Sequence, residues 1–176
     1  LVVTETVGED SDFLYLLDIE TNELKIVSQP ESRANHGDSG FVWSSDGKTL
    51  FLGTNDDRDF TAVVAYDIDT REFESLAESE YDLSAVNLCG PADDYLVWTE
   101  NRDGFDVLRG RQLSSGEPIE FPSLPEGIYN LSCSRQTSAL IVGVNGWRTP
   151  GDLYAVDLVS KTRERLVSSN LAGIAS

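Results

Sequence analysis

The chain has 176 residues and carries 31 acidic against 13 basic side chains, a net charge of −18. A polyanion binder shows the opposite balance, so nucleic acid and an anionic membrane surface are excluded as partners. No stretch approaches the ~18 apolar residues of a membrane-spanning helix.

In chain order, the first clear elements are two short apolar runs. Leu1-Val2-Val3 opens the chain, and "YLLDIETNE" follows around Asp18. That string returns as "VAYDIDTRE" at Asp67, "RGRQLSSGE" at Gln112 and "YAVDLVSKT" at Asp157, at intervals of 49, 45 and 45 residues. The apolar triplet upstream returns at Leu50, Leu96 and Leu140, at intervals of 49, 46 and 44. Two anchors that drift together define a structural repeat. A period of roughly 40–50 residues built from short apolar runs is the signature of a β-propeller, one four-stranded blade per repeat.

Residues 38–82 show the unit most plainly. "SGFVWS" predicts strand A, and "SSDGK" a tight turn in which Gly47 supplies a positive φ. "TLFLGT" predicts strand B, "NDDRD" a polar loop and "FTAVVAYDI" strand C. "DTRE" predicts a second turn and "FESLAE" a half-polar outer strand D. No window carries a sustained 3.6-residue apolar period, so no long helix is expected. The expected fold class is all-β: a propeller fragment of three complete four-stranded blades plus a partial one. The blades span 37–82, 83–127 and 128–168. Residues 1–28 form the partial blade, and 169–176 start the next strand, all within one partial propeller domain. The absence of Met and the start in mid-blade suggest a piece of a larger propeller. The alternative is that "LAGIAS" closes a four-bladed ring. Open blade edges predict self-association.

Strand A ends at Trp43, Cys89 and Cys133, which are equivalent positions. Two cysteines make no disulfide framework. They are expected to be buried, reduced thiols with Cα atoms ~8–12 Å apart, beyond the ~7 Å limit for a bridge. The compartment stays open, with the cytoplasm favoured. Only three basic residues are Lys (Lys25, Lys48, Lys161), which fits either a salt-adapted surface or an ordinary acidic one.

Few residues suggest chemistry. "HGDSG" at 36–40 contains the single histidine, His36, three residues from Ser39, and reads as a loop entering strand A. The acidic B–C loops, Glu9-Asp10-Asp12, Asp56-Asp57-Asp59 and Asp103-Asp106, gather on one rim. They read as solvated turn residues, with a weak Ca²⁺ site as the alternative. Trp43 and Trp98 are expected in the core. Trp147 and Arg148 form the one candidate partner contact, against a local lid over their own hairpin. Asn130-Leu131-Ser132 is read as a chance sequon. No catalytic, cofactor-binding or metal-binding residues are assigned.

The segments "FVWSSDGKTLFLGTNDDRDFTAVVAYDIDT", "LVWTENRDGFDVL" and "LPEGIYNLSCSRQTSALIVGVNGWRTPGDLYAVDLVSKTRERL" resemble the propeller domain of prolyl oligopeptidase family serine peptidases. The resemblance covers 38–174. Turns at Gly90-Pro91-Ala92-Asp93 and Ser134-Arg135-Gln136-Thr137 depart from the family's usual Ser-Pro-Asp-Gly type. It implies a parent enzyme with a Ser-Asp-His triad in an α/β-hydrolase domain, none of which maps onto this chain. There is no G-x-S-x-G elbow. What the resemblance leaves for this segment is gating of peptide substrates. The alternatives are a Tol-system-like protein-docking scaffold, or a propeller with a lyase or hydrolase site of its own.

Overall fold

A computed structural model describes residues 1–9, 11–31, 33–37 and 40–169. The expected next strand at 169–176 lies, beyond Ser169, outside the described residues, as does Ser39. The described residues form fourteen strands and no helix. The strands make four antiparallel sheets, each following chain order.

The first sheet holds β1 (Val2–Gly8), β2 (Ser11–Leu17) and β3 (Leu24–Ser28). The second holds β4 (Phe41–Trp43), β5 (Thr49–Thr54), β6 (Ala62–Asp67) and β7 (Phe73–Ala77). The third holds β8 (Leu83–Cys89), β9 (Tyr95–Arg102) and β10 (Phe105–Gln112). The fourth holds β11 (Ile128–Cys133), β12 (Ala139–Asn145), β13 (Pro150–Asp157) and β14 (Thr162–Val167). These are propeller-like blades of an all-β fold.

The middle strands of the second sheet are largely buried, and the last strand of each four-stranded sheet is mostly exposed. β6 is buried along nearly its whole length, whereas β14 is exposed throughout. Strands covered on both faces must be apolar on both; an outer strand meets water and tolerates charge.

The chain divides into two compact units, Leu1–Val86 and Asn87–Ser176. The core of the first joins Leu14 to Leu50, Leu52, Val64 and Tyr66, with Trp43 packed against it. The core of the second joins Val97 and Leu108 to Tyr129, Leu140, Val142, Val144 and Val156. Trp98 is buried as expected, and Trp43 is partly so.

The turns follow the repeat. At each blade's C–D hairpin, the residue four after the anchor has left-handed φ: Asn22 (58°), Arg71 (64°), Gly116 (75°) and Lys161 (57°). The anchor aspartates fix the hairpin. Asp18 accepts from the backbone N–H of Glu20 and Thr21, Asp67 from Asp69 and Thr70, and Asp157 from Val159 and Ser160. Backbone donors stabilise the ionised carboxylates and hold all three below the usual range. Gly47 has φ 70°, as its turn requires.

Two expectations fail. The third sheet has three strands, not four. After Gln112 the chain passes Pro118, Pro122 and Pro125, none of which can donate a ladder hydrogen bond. It touches β10 through an isolated bridge from Pro118 to Arg111 and an Ile119 N–H bond to Gly110 O, then arches away.

The cysteines are not reduced. Cys89 and Cys133 form a disulfide with Cα atoms 4.9 Å apart. The expected ~8–12 Å was the spacing of stacked sheets, ~10 Å. That spacing does not apply at these strand ends, because Gly90 N–H donates to Ser134 O at 2.9 Å. A direct backbone bond between the two turns draws the adjacent cysteines within bridging range.

Candidate functional site

The B–C loop rim is built differently from its sequence reading. Asp57, Asp59 and Asp103 are solvated, as expected. Asp12 and Asp106 are buried, and so is Asp152 in the last blade, at 2% exposure. Each lies near the start of its strand C, six residues before the C–D anchor, or five for Asp152. Each holds the chain that has just left the blade. Asp12 accepts the His36 N–H at 2.8 Å and donates its own N–H to Ala34 O at 3.0 Å. Asp106 accepts the Tyr129 N–H at 2.7 Å and donates its N–H to Gly127 O at 2.9 Å. Asp152 accepts both the N–H and the hydroxyl of Ser169, at 2.7 and 2.6 Å. The Ser169 bonds hold its carboxyl below the ordinary range.

The second blade has Thr61 at this position and reverses the polarity. Thr61 N–H donates to the Asp82 carboxylate at 2.9 Å, and Leu83 N–H to Thr61 O at 3.0 Å. These are inter-blade latches. A partial signal lies in the sequence: an aspartate five or six residues before the repeat anchor in three of the four blades. Among the described residues no three His, Cys, Asp or Glu side chains are grouped to hold a metal ion.

His36 sits in the expected loop but is buried, at 1% exposure. Its Nδ1 is 2.9 Å from the Thr54 hydroxyl. Nε2 has no hydrogen-bond partner among the described residues. Burial pushes the imidazole pKa down, against the opposing pull of Asp12 and Asp56. The ring is therefore a neutral core residue of the first unit.

Trp147 and Arg148 lie between β12 and β13. Trp147 is 70% exposed, and the Arg148 guanidinium stacks over its ring at 4.0 Å from the centroid. The pair is a solvent-facing cation–π platform, not a lid over the hairpin core.

The arch after Gln112 borders an open cleft of about 630 Å³ against β10. Its apolar wall includes Phe105, Leu108, Ile119, Phe121, Leu124 and Tyr129. Tyr129 Oη donates to Pro125 O at 2.7 Å, tying the arch to β11, and burial raises the phenol pKa. Nothing in the strand periodicity marked this cleft, because it exists only where the fourth strand fails.

The family model for "Prolyl oligopeptidase, N-terminal beta-propeller domain" matches residues 1–169. No curated protein matches the chain. Among solved structures, the chain is similar to prolyl oligopeptidase B from Galerina marginata in its apo form. The TM-score is 0.80 at 14% identity, over 99% of this chain and 26% of that one. A prolyl endopeptidase from a study of two such enzymes gives TM-score 0.78 at 14% identity, over 95% of this chain and 24% of that one. TolB from Acinetobacter baumannii gives 0.69 at 11%, over 97% and 41%. The chain thus spans about a quarter of the length of the peptidases it resembles. At these identities the structural likeness speaks for the fold.

Proposed function

The chain belongs to the prolyl oligopeptidase N-terminal β-propeller domain family, and from that premise we propose that it is the non-catalytic propeller segment of a serine peptidase. In this reading it gates peptide access to an α/β-hydrolase domain of the same parent polypeptide. The family match over 1–169 carries the proposal. Two observations support it. The one histidine, His36, is buried and engages Thr54, which does not place it as the base of a serine nucleophile. The similar prolyl peptidases are about four times longer than this chain, which leaves room for a separate catalytic domain.

The test uses the full-length gene product. It should label with a fluorophosphonate serine probe and cleave short peptides faster than intact proteins. Deleting this segment should raise cleavage of long substrates relative to short ones. A labelled enzyme whose size preference ignores the deletion overturns the gating role. The isolated chain of 176 residues should cleave neither.

A second reading, a protein-docking scaffold, is favoured by the TolB likeness and by the exposed Trp147–Arg148 platform. Trp147 and Arg148 are its proposed contact residues. A full-length product that does not label, yet captures a partner lost on Trp147→Ala, selects this reading. Self-association through the blade edges is read by light scattering. A concentration-independent monomer mass removes it.

A further inference from the structure

The third and fourth sheets are joined at one end of their first strands by three different links. The Cys89–Cys133 disulfide is the covalent one. Beside it, Gly90 N–H donates to Ser134 O at 2.9 Å, and the Arg135 guanidinium meets Asp93 at 3.3 Å. The two cysteines differ in setting. Cys89 is fully buried in the core of the second unit, whereas Cys133 is partly exposed at its margin. The equivalent position in the second blade is Trp43, so the repeat does not demand cysteine here.

We propose that this junction is a thiol–disulfide exchange site, a clasp between neighbouring blades whose reaction partner is a dithiol reductant. The exposure difference sets the direction of attack. A thiolate of the dithiol attacks the Cys133 Sγ, and the Sγ–Sγ bond breaks. The electron pair leaves on the Cys89 Sγ, which takes a proton. The second thiol of the reductant then attacks its own mixed disulfide and releases the Cys133 thiolate, which also takes a proton. Two electrons and two protons pass to the protein, and the reductant leaves as a disulfide.

With the bond open, the Gly90–Ser134 hydrogen bond and the Arg135–Asp93 ion pair still span the turns. Both are non-covalent and, with the Arg135 side chain 38% exposed, they hold the turns less firmly than a covalent bond. The cores of the two sheets stay packed through Val97, Leu140 and Val142. Reduction therefore loosens this junction and not the blades themselves.

The experiment treats the oxidised 176-residue chain with dithiothreitol and reads two signals. Alkylation and peptide mapping should find no free thiol before treatment and two after. Hydrogen exchange should rise about tenfold or more in 83–90 and 128–135. It should stay unchanged in β5 and β6. The double variant Cys89→Ala, Cys133→Ala should show the faster exchange without reductant and ignore dithiothreitol. Free thiols in the oxidised chain overturn the proposal, as does a bond that dithiothreitol leaves intact in the native fold. So does exchange that rises evenly over all strands, which would mean simple unfolding. The wild-type readouts decide the matter even if the double variant fails to fold.

Discussion

Single residues carry strain and charge that the repeat does not average out. The left-handed C–D position is Gly116 in one blade and Asn22 in another, but Arg71 and Lys161 in the other two. A side chain with Cβ costs roughly 1 kcal/mol there relative to Gly. Lys161 also meets Glu120, so Arg71 is the cleaner probe. Arg71→Gly should raise stability by up to ~1 kcal/mol, visible as a higher urea midpoint. An unchanged or lower midpoint would show that the φ of 64° is not strained. His36 predicts a pH effect of defined sign. Its folded pKa lies below the ordinary 6.5, so the unfolded chain binds the proton first. Stability should be level above about pH 6.5 and fall as pH drops from there through the folded pKa. Asp12 and Asp56 face the ring and soften the loss. Thermal melts between pH 7.5 and 5 should slope in wild type and flatten in His36→Asn. The depressed carboxyls, Asp18, Asp67, Asp152 and Asp157, act lower, as pH falls below the ordinary carboxylate value of 3.8. A wild-type slope confined to that acid range would put His36 outside the effect.

At the scale of elements, hairpins are made by local turns, but successive blades are joined by the latches. Asp106→Ala would leave the buried Tyr129 N–H without its acceptor, a cost of about 1–3 kcal/mol. Asp59→Ala, in a solvated loop residue, should be near neutral. Equal effects from the two would mean that the latch contributes nothing beyond its surface charge. The third blade shows the limit of the repeat. Its anchors keep their spacing through Gln112, yet Pro118, Pro122 and Pro125 prevent a fourth strand. The anchors locate the turn, not whether the strand after it can pair.

For the whole molecule, two terms stand out. The disulfide closes a loop between positions 44 residues apart. In the chain-entropy account such a loop is worth about 4 kcal/mol. Oxidised and reduced protein should differ by that order in denaturant unfolding, and coincident curves would place the stabilisation elsewhere. The net charge of −18 makes the folded state repel itself. Raising salt from ~0.01 to ~1 M shrinks the screening length from about 30 to 3 Å. The melting temperature should rise across that range in a neutral salt. A flat response would favour an ordinary acidic surface over a salt-adapted one.

The sequence by itself determined the strand order, the antiparallel blades, the C–D hairpin anchors and the Gly47 turn. These depend on local backbone preference and on apolar runs repeated at a near-constant period, and both are written in the chain. The resemblance borne by "LPEGIYNLSC" and "TPGDLYAVDL" likewise led to the family. Only the tertiary structure decided the rest. It buried Asp12, Asp106 and His36, which looked like loop residues, because their partners lie about twenty residues away and not in the adjacent sequence. It exposed Trp147 under Arg148, since no strand among the described residues covers that loop. It joined Cys89 to Cys133 because a backbone bond between two turns, Gly90 to Ser134, sets their distance, and no spacing of 44 residues encodes that approach.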